Sequence, residues 1–178
     1  MGKIEITKKV LGICATNCYT VVDTETKEAL IIDPADRADV LIRDWKDKGV
    51  TPTTVLLTHG HFDHIGALAG VKKEYPDIKV YAAAEEKEVM ESPALNLSSS
   101  FGAAFTAQAD IYLEDGTEIE VLGRKCKCLL VPGHTKGGMC YYFPEENVVF
   151  TGDTLFCYSV GRTDFPTGDA KALEDAIR

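Results

Sequence analysis

Alternation of apolar and polar residues predicts that the chain opens as a meander of strands. Period-2 patterns mark residues 4–10, 19–23 and 29–32 as strands, because successive side chains of a strand point to opposite faces. The polar segment from Thr24 to Lys27 predicts the turn that joins the second strand to the third. Such short connections are typical of a meander.

Helical spacing then alternates with short apolar runs. In residues 37–48 and 65–75, apolar side chains recur every three or four positions, which is typical of amphipathic helices. Gly49 and Pro76 stand where such helices end. The remaining predicted elements are strands at 53–58 and 78–81, a helix at 84–90, a long loop at 91–109, strands at 117–122, 125–131, 139–143 and 147–151, and a final helix at 170–177. Two sheets with helical segments at both ends predict an α/β fold, a layered sandwich with helices on its outer faces.

Composition places the chain among ordinary globular proteins. No internal repeat or low-complexity linker divides residues 1–178, so we expect a single domain. A chain of 178 residues can bury roughly two-thirds of the surface that it exposes when unfolded. The 19 basic and 28 acidic residues give a net charge of −9, which argues against nucleic acid, whose phosphates are held by Lys and Arg. No apolar stretch approaches the roughly 20 residues that cross a membrane.

The six cysteines are expected to be reduced thiols. A chain of this size needs no disulfides, and its first residues lack the basic and apolar regions of a secretion signal. We therefore expect a cytoplasmic protein. Cys126 and Cys128 lie on one face of a predicted strand, and their spacing does not fit the paired Cys-x-x-Cys of structural zinc sites.

Three of the four histidines lie in one segment, His59-Gly60-His61-Phe62-Asp63-His64, between a predicted strand and a predicted helix. Imidazole suits zinc, iron or copper, and carboxylate is a harder ligand, so this cluster favours a divalent-metal site. In an extended loop, His59 and His61 project the same way and can reach one ion. Asp63 and His64, where the chain turns into a helix, can point to a different position.

Two further candidate ligands also follow predicted strands. His134 lies in Val131-Pro132-Gly133-His134-Thr135, and Asp153 lies in Phe150-Thr151-Gly152-Asp153-Thr154. Strand ends from two sheets can converge on one rigid edge of a sandwich, and loops on such an edge commonly carry sites. We therefore expect His134 and Asp153 to join the histidine cluster, with Asp153 as a bridging carboxylate.

Five motifs occur in order along almost the whole chain. They are Asp33-Pro34, Thr58-His59-Gly60-His61-Phe62-Asp63-His64, Pro132-Gly133-His134-Thr135, Gly152-Asp153-Thr154-Leu155-Phe156 and Gly161-Arg162-Thr163-Asp164. As a set they resemble the metallo-β-lactamase fold superfamily and, within it, the glyoxalase II-like (hydroxyacylglutathione hydrolase-like) metal-dependent hydrolases. The resemblance implies a four-layer αββα sandwich that is incomplete at its C-terminal end in this sequence.

The resemblance also implies two divalent metal ions, with zinc favoured and iron or manganese as alternatives. The ligand sets would be, for one ion, His59, His61 and His134 and, for the other, Asp63, His64 and the bridging Asp153. Asp63 and Asp153 are the carboxylates that we expect to act in catalysis. The family supplies one more histidine to the second ion, and we expect that residue beyond Arg178 because the sequence has no fifth histidine.

Three residues outside the ligand sets are further candidates for a role at the site, although Lys136 stands where the family often has proline. Asp33 would accept a hydrogen bond from a ligand imidazole and so fix its tautomer. Lys136 and Arg162 would contact an anionic group of the substrate. The alternatives are a solvated loop lysine at Lys136 and a local ion pair between Arg162 and Asp164.

The function that the resemblance favours is hydrolysis of a small-molecule thioester, such as an S-acyl-glutathione, by a metal-bound hydroxide. Metal ions lower the pKa of a bound water to roughly 7 and stabilise an anionic leaving group such as a thiolate. One alternative is a persulfide dioxygenase with a single iron held by His59, His134 and Asp153. A second is a non-enzymatic domain that holds metal or binds a partner. The patterns specify neither the acyl group, the thiol carrier nor the oligomeric state.

Overall fold

Two large sheets contain most strands of the computed structural model, which describes residues 2–178. The first sheet has six strands in chain order: β1 (Ile4–Leu11), β2 (Thr16–Asp23), β3 (Glu28–Ile32), β4 (Thr51–Leu56), β5 (Lys79–Ala83) and β6 (Ile111–Leu113). Strands β1 to β3 pair antiparallel, as the predicted meander requires, and β3 to β6 pair parallel. The parallel half is formed by strands whose connections carry helices.

The second sheet is antiparallel throughout. Its strands are β7 (Glu118–Val121), β8 (Arg124–Leu130), β9 (Met139–Phe143) and β10 (Val148–Phe150), in the spatial order β10-β9-β8-β7. A separate two-stranded hairpin follows, made of β11 (Leu155–Phe156) and β12 (Ser159–Val160). The sequence did not predict β6, β11 or β12, because two or three residues are too short for a period-2 pattern to show.

The helices of the described residues are α1 (Ala38–Asp47), α2 (Phe62–Ile65), α3 (Leu68–Glu74), α4 (Lys87–Glu91), α5 (Ser98–Phe101) and α6 (Ala170–Ala176), with a 3₁₀ turn at Ala84–Glu86. The predicted helices at 37–48 and 170–177 are confirmed, and Asp169 caps α6 by accepting from two backbone amides. None of the helices in residues 2–178 is both long and apolar enough to cross a bilayer.

The prediction of one continuous helix over 65–75 is wrong, because the chain breaks it between α2 and α3. At the break the amide of Ala67 donates to the carbonyl of Pro34, 2.9 Å away, rather than to a carbonyl of α2. Gly66 lies so close to the backbone carbonyl of Ala35 that a side chain there would collide with it. The predicted loop at 91–109 likewise contains a short helix, α5.

Side chains of the first sheet alternate between two cores. In β3, Ile31 packs in the cluster that contains Trp45 of α1 and Val71 of α3. The next residue, Ile32, packs in the cluster that contains Tyr141 of β9. Helices therefore cover one face of the first sheet and the second sheet covers the other, which confirms the layered α/β arrangement.

Candidate metal centre

The loops that carry the candidate ligands begin where strands end. The segment from His59 to His64 follows β4, His134 follows β8, and Asp153 follows β10. The structure brings all four histidines and Asp153 to one edge of the sandwich, where the sequence predicts them. All four imidazoles are buried, whereas Asp153 is partly exposed.

Two hydrogen bonds join the sheets directly beside this edge. The amide of Met139 in β9 donates to the carbonyl of Thr58 at 2.8 Å. Two residues further along β9, the hydroxyl of Tyr141 donates to the carbonyl of Leu57 at 2.8 Å. The backbone that precedes His59 is therefore fixed to the second sheet before any ligand is considered.

Two glycines shape the turns that present the other ligands. Gly133, before His134, has a φ of +141°, and Gly152, before Asp153, has a φ of +50°, both values that side chains disfavour. A Cβ at Gly133 would collide with Leu173 of α6, and a Cβ at Gly152 would collide with the side chain of Thr58. Glycine thus lets each turn pack closely enough to bring its ligand to the cluster.

The first group of candidate ligands consists of three imidazoles, His59, His61 and His134, whose ligand atoms all lie within 4.8 Å of one another. The Nδ1 of His61 is 3.1 Å from the Nε2 of His59 and 3.1 Å from the Nε2 of His134. His134 donates its Nδ1 proton to the carbonyl of Arg162 at 2.7 Å, so its Nε2 carries a lone pair. Three ring nitrogens that face one point fit a cation such as zinc or iron.

Protonation does not compete for the ring nitrogens of His59 and His61 near neutral pH. Burial and the neighbouring imidazoles lower the pKa of His61 to about 3. The same causes, burial first, hold the pKa of His59 well below its usual value. Both rings are therefore neutral, which is the state that binds a metal ion.

The second group consists of His59, His64 and Asp153, also within 4.8 Å. His64 donates its Nδ1 proton to Oδ2 of Asp33 at 2.9 Å, which leaves its Nε2 facing carboxylates. That Nε2 is 3.3 Å from Oδ1 of Asp153 and 3.5 Å from Oδ2 of Asp63, and it makes no hydrogen bond. A buried ring nitrogen among carboxylate oxygens requires a positive charge beside them, which a proton supplies and a metal ion would supply in its place, so this position also fits a metal ion.

The second group contains charged side chains, whereas His59 and His61 of the first group are neutral. Burial lowers the pKa of His64, but the carboxylates of Asp33 and Asp153 raise it, and the net value lies well above the usual one. Burial likewise raises the pKa of Asp153, but His64 lowers it by more. When no metal ion is bound, a proton on His64 therefore offsets the negative charge of the neighbouring carboxylates.

Asp153 stands between the two groups. Its Oδ1 is 3.3 Å from Nε2 of His64 in the second group, and its Oδ2 is 3.5 Å from Nε2 of His134 in the first. One carboxylate oxygen thus faces each group, an arrangement that fits the bridging role expected from the sequence. Asp63 lies at the edge of the second group, where the hydroxyl of Thr16 donates to its Oδ2 at 2.5 Å.

Asp33 lies where the resemblance predicts it, behind a ligand imidazole. Besides the bond from His64, its carboxylate accepts from the amide of Thr58 at 2.7 Å and from the hydroxyl of Thr58 at 2.6 Å. It thereby ties His64 to the residue that precedes His59. One buried carboxylate therefore fixes both the tautomer of His64 and the start of the histidine segment.

The two predicted substrate-binding residues are both paired within the protein. Lys136 contacts the carboxylate of Glu88. Arg162 makes two bonds of 2.7 Å to Asp164, and its guanidinium lies 4.0 Å from the centre of the Phe165 ring. Arg162 does line the cleft above the histidines, whereas Lys136 is outside it. This cleft has a volume of about 360 Å³.

Sequence reasoning missed Glu86, a fully buried carboxylate that connects the two histidine-bearing loops. It accepts from the amide of Gly60 at 2.6 Å and from the amide of Gly137 at 2.9 Å. Glu86 belongs to a run of four charged residues in which Lys87 and Glu88 are exposed, so composition does not distinguish it from a surface residue. The signal was its spacing, since Glu86 lies one helical turn before the buried Val89 and Met90.

Comparison with known proteins decides the family. The sequence model of the metallo-β-lactamase superfamily matches residues 11–178. The chain belongs to this superfamily. The probable metallo-hydrolase YqgX of Bacillus subtilis is 36% identical over 169 residues, which cover 94% of this chain and 79% of YqgX. The hydroxyacylglutathione hydrolase GloC of Haemophilus influenzae is 34% identical over 168 residues, which cover 91% of this chain and 77% of GloC.

Solved structures of the superfamily share the fold. The B3 metallo-β-lactamase BLEG-1 has a TM-score of 0.91 and 38% identity, over 97% of this chain and 83% of BLEG-1. TTHA1623 in a di-iron-bound form has a TM-score of 0.82 and 34% identity, over 96% of this chain and 83% of that one. The glyoxalase II-like resemblance is consistent with these relatives, and the fold prediction is confirmed.

Proposed function

We propose that this superfamily member is a metal-dependent hydrolase of thioesters, with zinc as the first choice of metal. The observation that carries the proposal is the pair of adjacent ligand groups that share His59, together with the buried Nε2 of His64, which has no hydrogen-bond partner. Metal ions held there would supply a strong nucleophile from water at neutral pH and would polarise a carbonyl group.

The protein's own residues hold this arrangement in place. Asp33 fixes the ring of His64, and the carbonyl of Arg162 fixes the ring of His134, so that Nε2 of each ring faces Asp153. Asp63 is oriented by the hydroxyl of Thr16. Because these partners are present without metal, little reorganisation is needed when ions bind.

A thioester suits this site because its cleavage needs only water. The oxygen of water bonds to the acyl carbon, the carbon–sulfur bond breaks, and the sulfur leaves with the electron pair and is protonated to a thiol. GloC, at 34% identity, bears the name of a hydrolase of such a compound, which supports the choice. The cleft over the histidines is lined by Phe101, Phe156 and Phe165 and so offers apolar surface to a substrate.

The test is hydrolysis of S-lactoylglutathione and other thioesters without oxygen, alongside metal analysis of the same protein. We expect hydrolysis, and we expect Asp153→Asn to lower kcat/KM at least tenfold. Asp39→Asn, which changes an exposed carboxylate on α1, is the matched control and should have no effect. Protein with its full metal content that cleaves no thioester would contradict the proposal.

A second candidate is an iron-dependent persulfide dioxygenase, and one observation favours it. Two histidines and one carboxylate, His59, His64 and Asp153, have ligand atoms within 4.8 Å of one another and could hold a single iron with open positions, and His134 lies 3.5 Å from Asp153. TTHA1623, at 34% identity, has been crystallised with two iron ions, so iron is a reasonable metal here. Oxygen uptake with glutathione persulfide, without thioester cleavage, would favour this candidate instead.

A further inference from the structure

An apolar cavity adjoins the metal cleft and shares a wall with it. The cavity has a volume of about 290 Å³ and is lined mainly by apolar residues, among them Ile13, Ala103 and Phe105. Phe62 and Phe101 line both spaces, so a molecule bound at the histidines can extend one arm past them. The rings of Phe62 and Phe101 stack on each other, with their centres 5.0 Å apart.

The walls of this cavity are held together by one buried residue, Asn96. Its backbone carbonyl accepts from the amide of Phe62 at 2.8 Å, and its side-chain amide donates to the carbonyl of Phe105 at 2.9 Å. It also accepts from the amide of Ser98, at the start of α5, at 2.9 Å. Asn96 thus connects the residue between two candidate ligands to the loop that carries Phe101, and the cavity exists before a ligand enters.

Exposure of its rim indicates that the cavity is built for an apolar group. Ile13, at the turn between β1 and β2, is 76% exposed, and Phe101 is 48% exposed. When a ligand removes large apolar side chains at an opening from water, the free energy of binding becomes more favourable. An apolar arm in the cavity would cover both.

The charges that line the cavity disfavour an anionic occupant. Asp36 and Asp63 line the cavity, and none of its lining residues within the described part of the chain is Lys or Arg. A carboxylate or phosphate there would lose its hydration beside Asp36 and would find no basic side chain to pair with, which is unfavourable. Glutathione carries two carboxylates and one ammonium group, whereas the cavity is lined mainly by apolar residues, so the arm that fits the cavity better is the acyl group.

We propose that this cavity binds the acyl group of the thioester, and that the preferred acyl group is uncharged and apolar. The inference rests on the proposed function for the reaction, and on the cavity beside Phe62 and Phe101 for the specificity. It assigns Ile13 and Phe101 as residues that determine specificity.

The experiment compares kcat/KM for S-lactoyl-, S-hexanoyl- and S-succinylglutathione, which share one thiol carrier. The native protein should prefer the hexanoyl compound at least tenfold over the other two. Phe101→Ala should lower the hexanoyl-to-lactoyl ratio at least tenfold, and so should Ala103→Trp, which fills the cavity instead of enlarging it. The matched control is Leu129→Ala on β8, where a similarly exposed apolar residue lies outside the cavity, and it should keep the native ratio.

Equal rates for the three acyl groups, or a ratio that neither variant changes, would overturn the cavity assignment while leaving thioester hydrolysis in place. A second measurement separates the two proposals in the other direction. It is calorimetric binding of a stable thioether in which a methylene group separates the sulfur from a hexanoyl group. If no thioester is cleaved, but this compound binds and Phe101→Ala weakens its binding at least tenfold, the cavity stands and the proposed reaction is wrong.

Discussion

The two ligand groups of the candidate metal centre share His59. They differ in the protonation of their other imidazoles when no metal ion is bound. In the group of His61 and His134, burial and the neighbouring imidazoles lower the pKa of His61 to about 3, and its Nδ1 lies 3.1 Å from Nε2 of His134. In the group of His64 and Asp153, a proton on the imidazole balances the carboxylates. An ion at the first group meets a neutral His61 ring, whereas an ion at the second has to replace a proton. Adjacent positions built from the same residue types can therefore differ in metal affinity because of what lies behind the ligands.

Loss of His59 should reduce metal binding and thioester hydrolysis the most, because His59 is the one residue that belongs to both groups. His59→Ala is expected to weaken both ions and to lower kcat/KM for thioester hydrolysis at least a hundredfold. Metal content per chain, measured after dialysis, checks this. His61→Ala should weaken the ion of the first group alone. Equal metal loss in the two variants would show that His59 is not shared.

Asp33→Asn should distinguish the groups most clearly. The variant keeps the shape of the side chain but removes the charge opposite His64, so metal affinity at the second group should fall roughly 10- to 100-fold. Competition with a coloured chelator measures the two affinities separately. The first group should change by less than the second. An equal loss at both groups would mean that Asp33 supports the whole edge rather than His64.

Glu86→Gln should have a moderate effect on stability. An amide can accept from only one of the two backbone amides that Glu86 now holds, Gly60 and Gly137, so about 1–3 kcal/mol of unfolding free energy should be lost. Urea unfolding measures this loss. Glu88→Gln, two residues away and exposed, is the control and should change stability by less than about 1 kcal/mol. Equal effects of the two substitutions would argue against the link between the loops.

Lys136→Ala should change thioester hydrolysis the least. Lys136 is paired with Glu88 at the surface and does not line the cleft, so KM for S-lactoylglutathione should change by about twofold at most. Steady-state kinetics at two salt concentrations checks this. An increase in KM of tenfold or more would support the role in binding an anionic substrate that the sequence suggests for Lys136.

The sequence predicted that the candidate ligands converge on one edge because its signals are local. His59, His61 and His64 lie within six residues, and His134 and Asp153 each follow a glycine that ends a predicted strand. Strand ends of packed sheets meet at an edge, so their convergence followed from the order of elements alone. The structure adds the distances and hydrogen bonds that orient each ring.

The apolar cavity and the link through Glu86 could not be predicted in the same way. Ile13, Phe62 and Phe101 are far apart in the chain and meet only because Asn96 fixes the loop after α4. Contacts between distant segments leave no period in a sequence, and short elements such as α5 are decided by tertiary packing rather than propensity. The substrate-facing half of the site is therefore visible only in three dimensions.

The most direct test of the metal centre is an anomalous-scattering measurement on crystals of the protein prepared without added metal, with data at the zinc and iron edges. The account predicts a peak about 2.0–2.2 Å from Nε2 of His59, Nδ1 of His61 and Nε2 of His134, and a second peak beside His64 and Asp153. Absence of any peak at the histidine cluster, or a metal bound elsewhere with that cluster empty, would contradict it.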